Sequence, residues 1–511
     1  MLVEDVTRFR TQCVPLIKST MKRKILFIVD KYLIIGYNKT EDDYKVKKSL
    51  QGGIVMLIRF SVENFKSFND KQELVMIPAK RLQKNKEHVI SLNKVSLLRN
   101  ATIYGANASG KTNIIEAMRF AKYVITKKIP MEASKMYCRV FPNNQVKESK
   151  FEFEIFKNNK FYAYGFSINL HEQIIKSEWL YELIPGRDSQ KMLFERETEI
   201  NRMELGESVV LNDVDTMRFK TYKLDFEDNK SSLFIKEMNR NKKMNKESKL
   251  TFFRDVFEWF DEDLVTIFPD QPITDFEYFY GDGGSEKINE IIEMFDTGIS
   301  KVKIEKISVA DLKNKIPSNL AEEIIDSFKK KLEDSVEESK TMMSLRTKTA
   351  FYNIKGSKGE DPVITTIMLE HGNAFSDFEF SEESDGTRRL FDLLDILISN
   401  EKNKVYVIDE LERSLHPKLT YKFIELFFEI LKDNNTQLIF TTHESTIMDQ
   451  DLLRRDEIWF VERNKDNVSH LYSLDRFKER YDKKLSKAYL DGRYGAVPVL
   501  KKFSFKGGEE Q

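Results

Sequence analysis

Apolar residues in this chain follow two spacings, and across one short loop the spacing of a strand gives way to that of a helix. Residues 95–104 contain an apolar, β-branched run typical of a buried strand. Residues 113–124 carry apolar side chains at the three- and four-residue intervals of a helix. The pattern therefore predicts a strand, a loop and a helix in immediate succession.

The segment 56–223 alternates strand-like runs with turns. Residues 150–156 and 161–168 show a period of two and are joined by Lys157-Asn-Asn-Lys, which is a hairpin signal. We expect an antiparallel sheet here, beside a parallel sheet that holds the loop after residue 104. The predicted fold class is α/β, with a mixed parallel core sheet, an antiparallel sheet and an inserted lobe.

The pattern turns helical over residues 224–377, and we predict a mainly helical insertion that contacts a partner, a target or a second subunit. Residues 318–343 are interpreted as one helix that begins after a proline. The aromatic stripe at residues 252–260 is interpreted as core packing rather than base stacking. A basic cluster is interpreted as a solvated loop, with phosphate-backbone contact as the alternative; it comprises Arg240, Lys242, Lys243, Lys246 and Lys249.

The loop between the predicted strand and helix reads Gly-Ala-Asn-Ala-Ser-Gly-Lys-Thr. Two glycines let successive backbone N–H groups point inward, Lys111 can reach the β- and γ-phosphates, and the Thr112 hydroxyl can bind Mg²⁺. The alternative is a glycine-containing turn with an exposed lysine. The loop predicts an ATP phosphate site formed by Gly105, Asn107, Ala108, Ser109, Gly110, Lys111, Thr112 and Asn113.

A second apolar strand, residues 404–408, ends in two acids, Asp409 and Glu410. Ionised carboxylates are costly to bury unless they are paired or bound to a metal. We therefore assign Asp409 to Mg²⁺ and Glu410 to the attacking water, as a general base or orienting group. The alternative is an ordinary strand end with solvated acids.

A third apolar strand, residues 437–442, ends in His443, which is positioned to hydrogen-bond a γ-phosphate. By itself such a residue is more often a loop histidine. Its place after a parallel-type strand favours a role in the same site.

The segment 381–390 begins with small and acidic residues, and a helix with apolar spacing is predicted to follow them. Ser384 is a good helix N-cap, and Gly386 would let a phosphate approach the backbone closely. The alternative is a plain capped helix. The position of this segment shortly before Asp409 favours a functional interpretation.

With these motifs in place, the chain resembles ABC-type ATPases of the structural-maintenance (SMC), RecF and OLD group. The resemblance implies that the segment containing Ser384 and Gly386 is a signature that closes the nucleotide site of a second subunit, so that ATP holds a head-to-head dimer together. Residues 412–417 resemble the D-loop of this group. His416 stands where transporter subunits usually have aspartate, which argues against a membrane transporter.

The likeness narrows at the opening strand, residues 56–68, and in the tail, residues 452–462 and 489–498, which resemble the RloA-like branch of abortive-infection ATPases. This branch implies a role in anti-phage defence beside a separately encoded effector. The alternative function is a DNA repair or chromosome-maintenance ATPase that binds DNA directly. A lid glutamine is not evident, and Gln145 is the only weak candidate.

Composition limits the partners that the sequence can predict. The 511 residues include 83 basic and 83 acidic side chains, so the formal net charge is zero. No overall positive charge therefore attracts the protein to DNA or to anionic lipid. The two cysteines, Cys13 and Cys138, are too few for a disulfide framework, and no apolar run has the length of a membrane helix. We expect a cytoplasmic ATPase that is a homodimer or higher homo-oligomer.

Domain boundaries follow from these motifs. Residues 56–223 form the first ATPase lobe, 224–377 the insertion and 378–511 the second lobe. Residues 1–55 are interpreted as a mis-annotated extension or weakly packed appendage, because Met56 stands where the resembled pattern starts. The competing interpretation is a real strand pair at residues 25–37.

The 68 residues after His443 are too few for a fused nuclease domain, so no nuclease activity in cis is expected.

Overall fold

The computed structural model describes residues 24–29, 32–40, 53–82, 84–92, 94–186, 189–240, 244–245, 247–269, 284–333, 341–346, 350–398, 403–477 and 484–498. Its strands are β1 (Lys24–Val29), β2 (Tyr32–Thr40), β3 (Met56–Glu63), β4 (Gln72–Val75), β5 (Val89–Leu92), β6 (Val95–Leu98), β7 (Asn100–Tyr104), β8 (Ser149–Lys157), β9 (Lys160–Asn169), β10 (Ile174–Leu183), β11 (Gln190–Glu197), β12 (Arg202–Leu205), β13 (Leu264–Ile267), β14 (Ile299–Ile307), β15 (Thr341–Arg346), β16 (Phe351–Gly356), β17 (Val363–His371), β18 (Phe378–Glu379), β19 (Val405–Ile408), β20 (Gln437–Thr442), β21 (Ile458–Arg463) and β22 (Ser469–Ser473).

The α-helices of the same residues connect or cover these strands. They are α1 (Lys111–Thr126), α2 (Asp213–Leu224), α3 (Phe234–Asn239), α4 (Thr251–Glu258), α5 (Gly284–Glu293), α6 (Val309–Lys315), α7 (Ser318–Glu333), α8 (Asp385–Ile398), α9 (Pro417–Ile430) and α10 (Leu485–Leu490).

The core sheet has the order β13-β19-β20-β7-β21-β22. Neighbouring strands from β13 to β21 are parallel, and only β22 joins β21 antiparallel. Parallel strands place their carboxyl ends at one edge of the sheet, which is where α/β folds bind ligands. The strands before Gly105, Asp409 and His443 are therefore neighbours that end together.

The antiparallel sheet has the order β12-β11-β10-β9-β8-β3-β4 and includes the predicted hairpin of β8 and β9. Gln437, which is fully buried in the core sheet, accepts a hydrogen bond from the Leu57 N–H at 2.6 Å and donates to the Leu57 carbonyl at 3.0 Å. Since an unpaired buried amide is costly, these bonds fix the two sheets against each other.

The aromatic stripe at residues 252–260 packs in the core, as predicted. Phe253, Trp259 and Phe260 are fully buried, and the Phe260 ring meets that of Phe153 edge-on with centroids 4.9 Å apart. These rings join α4 and the turn after it to the antiparallel sheet.

The insertion predicted to be mainly helical, residues 224–377, contains a sheet as well as helices. Strands β14 to β17 form a sheet in this segment, and α7 packs on it through a cluster that includes Leu320, Phe328 and Leu345. The helix predicted at residues 318–343 is described only to Glu333, and Thr341–Arg346 is a strand. The β-branched residues of Val363-Ile-Thr-Thr-Ile favour a strand. This signal was overlooked because the neighbouring segments carry the mixed charges that are typical of exposed helices.

The N-terminal strands belong to the same insertion sheet. β1 pairs antiparallel with β2, and β2 pairs antiparallel with β15. The interpretation of this segment as a strand pair is thus confirmed for residues 24–29 and 32–40, whereas the mis-start hypothesis stays a prediction. Lys242, Lys243 and Lys246 of the basic cluster lie outside the described residues.

Candidate nucleotide site

The loop from Gly105 to Gly110 connects β7 to α1, as the sequence predicts. Gly110 precedes the helix with φ of 109°, a left-handed conformation that favours glycine. A Cβ at Gly105 would lie 2.4 Å from the Val461 carbonyl oxygen, and one at Gly110 would lie 2.5 Å from Ser469 Oγ. Neighbouring backbone and side chains therefore hold the loop in its curled form, with the N-terminus of α1 facing the cavity.

The cavity at this edge of the sheet has a volume of about 470 Å³. Its walls combine most of the predicted loop with residues from distant strands. The lining residues are Asn107, Ala108, Ser109, Gly110, Lys111, Thr112, Asn113, Glu410, His443 and Arg463.

Lys111 is buried and points back over the loop. Its Nζ donates to the Gly105 carbonyl at 2.7 Å and the Ala106 carbonyl at 3.1 Å, and lies 3.4 Å from His443 Nδ1. Burial lowers the pKa of Lys111 to about 8, although the nearby carboxylates of Glu412, Asp409 and Glu410 act in the opposite direction. A phosphate would supply the anion that this buried ammonium needs.

The lowered pKa of Lys111 predicts how nucleotide affinity depends on pH. The ammonium loses its charge as the pH rises through about 8, and only the charged form attracts phosphate. We expect ATP affinity to be constant near pH 7 and about tenfold weaker at pH 9. Calorimetric titration across this range checks it, and an unchanged affinity at pH 9 would contradict it.

Asp409 is 3% exposed and is held by hydroxyl groups from two neighbouring elements. Thr441 Oγ1 donates to Asp409 Oδ1 at 2.6 Å, and Thr112 Oγ1 donates to the same oxygen at 3.3 Å. The hydroxyl and carboxylate predicted to bind Mg²⁺ are therefore adjacent.

These oxygen donors fit magnesium, a hard cation that prefers oxygen ligands and keeps several waters or phosphate oxygens. No group of three or more His, Cys, Asp or Glu suited to a metal occurs in the part of the chain that the structure describes. Magnesium at Thr112 and Asp409 would thus depend on phosphate oxygens to complete its coordination.

Glu410 lines the cavity with a left-handed backbone, φ of 47°, which is uncommon for a residue other than glycine. Its N–H donates to Thr441 Oγ1 at 2.8 Å, and this bond holds the turn. Such strain is characteristic of functional positions, where the surrounding structure fixes a side chain in place.

His443 lies across the cavity from the loop, beside Lys111. Its backbone N–H donates to Glu412 Oε1 at 2.5 Å. Burial and the positive charge of Lys111 lower the pKa of His443, so its imidazole is neutral at pH 7 and can serve as a hydrogen-bond donor or acceptor.

The signature residues do not line this cavity: neither Ser384 nor Gly386, both within the described chain, is among its walls. Ser384 Oγ accepts the Thr387 N–H at 3.0 Å and caps α8. A Cβ at Gly386 would lie 2.6 Å from the Ser414 carbonyl, so this glycine allows the signature to approach the predicted D-loop of its own chain.

Two other predicted features have structural roles. His416 caps α9, because its Nδ1 accepts the Lys418 N–H at 3.2 Å and Pro417 follows at the first helical position. Gln145 contacts His171 at 2.8 Å and does not line the cavity, so the weak lid-glutamine prediction gains no support.

Sequence reasoning missed Arg463, Glu412 and Thr441. Arg463 ends β21 and lines the cavity, but it lies just after the tail segment 452–462, whose likeness gave no role in the site to this strand. Glu412 and Thr441 each lie two residues from a predicted site residue, which is the signal that could have found them.

Comparison with known proteins gives the class of this site. A family model described as "AAA domain, putative AbiEii toxin, Type IV TA system" matches residues 101–449, which is more than half of the 511 residues. The chain belongs to this AAA domain family. No curated protein matches the chain.

Membership in the AAA family confirms the recognition made from the motifs, and the strands and helices described above show the predicted α/β fold, with a mostly parallel core sheet beside an antiparallel sheet. The chain therefore carries an ATPase domain. No helix among the described residues combines the length and apolar character needed to span a bilayer.

Solved structures with similarity to this AAA family chain include two SMC heads and RecF. One is an SMC head bound to the C-winged helix domain of ScpA, at 16% identity over 82% of this chain and 98% of that chain, with a TM-score of 0.38. An SMC head domain from Thermotoga maritima has 13% identity over 82% and 98%, with a TM-score of 0.31. RecF with ATP, a recombination mediator of the RecFOR pathway, has 13% identity over 83% and 100%, with a TM-score of 0.28.

Proposed function

We propose that this chain hydrolyses ATP as the sensor or regulatory subunit of a bacterial anti-phage system of the abortive-infection type, acting with a separate effector protein. The observation that carries the ATPase part is that Lys111, Thr112, Glu410 and His443 line one cavity, with Asp409 hydrogen-bonded to Thr112 behind it, although these positions lie up to several hundred residues apart.

The residues of the cavity divide the work of phosphoryl transfer to water. The loop N–H groups and Lys111 hold the β- and γ-phosphates, and Glu410 orients the attacking water or takes its proton. His443 hydrogen-bonds the γ-phosphate. Magnesium held by Thr112 and Asp409 would supply positive charge against the phosphate oxygens when bound.

Closure of the site would require a second copy of the chain. Ser384 and Gly386 stand at the start of α8, outside the cavity of their own chain, where a partner's γ-phosphate could meet the N-terminus of the helix. Two heads would then close over two ATP molecules, and hydrolysis would reopen them. This cycle would couple nucleotide state to the effector.

The defence role is supported by the family description, which names a putative toxin of a type IV toxin–antitoxin system. In this proposal the damaging activity belongs to the separate effector protein.

Phage infection of cells that carry the gene with its chromosomal neighbours tests the defence role. We expect protection, measured as a drop in plating efficiency, to be lost in the Lys111→Met variant because the sensor must cycle through ATP. We also expect the chain expressed alone to give no protection. Full protection by Lys111→Met, or by the chain alone, would contradict the proposal.

A DNA repair or chromosome-maintenance ATPase that binds DNA directly is the second candidate. It is favoured by a cluster of cations near the C-terminus of α1, where Lys127, Lys128 and Arg240 surround Lys236 closely enough that burial and their charges together lower its pKa. Salt-sensitive DNA binding by the purified protein, lost on replacing Lys127, Lys128 and Arg240 with alanine, would support this candidate.

A further inference from the structure

Arg389 is a buried cation on the signature helix α8. It is only 6% exposed, and its Nε, Nη1 and Nη2 atoms all lack a hydrogen-bond partner among the described residues. Desolvation of this kind is expensive unless a carboxylate compensates it. An arginine in this position therefore needs an acceptor in some state of the protein.

The carboxylates that act electrostatically on Arg389 are Asp392, Glu412 and Glu410, and Arg413 is a like-charged neighbour. Asp392 already accepts from Arg346 Nη2 at 3.1 Å. Glu412 accepts the His443 N–H at Oε1, and its own N–H and the Thr442 hydroxyl also stabilise the carboxylate, but Oε2 is buried and makes no hydrogen bond of ordinary length within the described chain. Two buried groups of opposite charge thus lie on neighbouring elements without an ion pair between them.

The elements that carry these groups already touch. The Ser414 carbonyl approaches Gly386 so closely that a Cβ there would lie 2.6 Å from it. Gly386 starts the helix of Arg389, and Ser414 is in the loop of Glu412. A movement of α8 relative to this loop would therefore change the distance between the Arg389 guanidinium and the Glu412 carboxylate.

We propose that Arg389 is a positioning residue for ATP hydrolysis, whose guanidinium donates to Glu412 Oε2 when the heads close and so fixes Glu412 as the acceptor of the His443 N–H. This inference rests on the proposed ATPase function. The Glu412 carboxylate already accepts the His443 N–H, and the ion pair would hold both residues firmly against the γ-phosphate once the signature helix has moved. It would thereby make hydrolysis in one site depend on the helix that closes the other.

Steady-state turnover and thermal unfolding of Arg389→Met test the inference. Methionine keeps the volume and removes the charge, so the nucleotide-free protein should unfold at a temperature no lower than wild type, because no partnered charge is lost. We expect kcat to fall about tenfold to a hundredfold, because His443 is misplaced. KM should change little, because the phosphate loop is intact.

Arg99→Met is the matched stability control. Arg99 is also a buried arginine, but its Nη2 donates to the Leu431 carbonyl at 2.6 Å. Its replacement should lower the unfolding temperature without nucleotide. If Arg389→Met lowers the unfolding temperature in the same way, its role is structural and the inference is overturned.

Glu412→Gln tests the pairing from the other side, since glutamine retains an oxygen for the His443 N–H but loses the charge. We expect a similar loss of kcat, and the double variant Arg389→Met/Glu412→Gln should be no slower than either single variant. Additive losses, or wild-type kcat in either single variant, would overturn the inference.

The Lys111→Met variant separates the two proposals. If Lys111→Met retains turnover, the ATPase proposal fails. If Lys111→Met is inactive and Arg389→Met has wild-type turnover, only the positioning role of Arg389 fails.

Discussion

Replacing Lys111 with methionine is expected to remove most of the affinity of the protein for ATP. The ammonium is the buried cation next to the loop carbonyls and His443, and loss of a buried charged hydrogen-bond partner costs about 3 kcal/mol or more. We expect ATP to bind at least about a hundredfold more weakly, measured by calorimetry with Mg²⁺. Phosphate release should fall to background.

Lys432→Met is the matched control for this substitution. Lys432 is exposed beyond α9 and does not line the cavity, so nucleotide affinity should be unchanged. The circular dichroism spectrum of Lys111→Met without nucleotide should match wild type, which shows that the variant is folded, although its unfolding temperature should fall because the bonds from Nζ to the Gly105 and Ala106 carbonyls are lost. Wild-type ATP affinity in a folded Lys111→Met protein would contradict the assignment of the loop.

Replacing Glu410 with glutamine should separate binding from hydrolysis. Glutamine keeps the size of the side chain but cannot take a proton from water, so phosphate release is expected to fall about 10²- to 10⁴-fold. ATP affinity should be retained, because Lys111, Thr112 and the loop are unchanged. With hydrolysis blocked, the closed ATP-bound dimer should accumulate, which size-exclusion chromatography with light scattering would detect.

The control for this variant is Glu425→Gln on the exposed face of α9, where Glu425 pairs with Lys422. Its turnover and assembly should match those of wild type. Normal phosphate release by Glu410→Gln would remove Glu410 from the chemical step. Monomers of Glu410→Gln in the presence of ATP would contradict closure through two heads.

The sequence predicts the core of the site well because the chemistry there demands particular residues. Only glycine tolerates the contacts at Gly105 and Gly110, and a strand that ends in Asp409 needs a cation or hydroxyl partner. These requirements leave a local pattern that can be recognised without the fold. The parallel arrangement then follows from the strand-loop-helix order.

Other features were not predicted from the sequence because they depend on contacts between residues that are far apart in the chain. The insertion sheet depends on pairing between strands such as β2 and β15, which are separated by about 300 residues. Arg463 enters the cavity only because β21 lies beside β7. Arg389 and Glu412 look like ordinary charged residues in the sequence, and burial alone gives them significance.

A structure of the Glu410→Gln protein with ATP and Mg²⁺ tests the central claim most directly. The account predicts one nucleotide per chain, with the γ-phosphate in hydrogen-bond contact with Lys111 and His443 and with Ser384 of a second copy, and with Mg²⁺ between Thr112 and Asp409. A nucleotide bound elsewhere, or a triphosphate that these side chains do not contact, would contradict it.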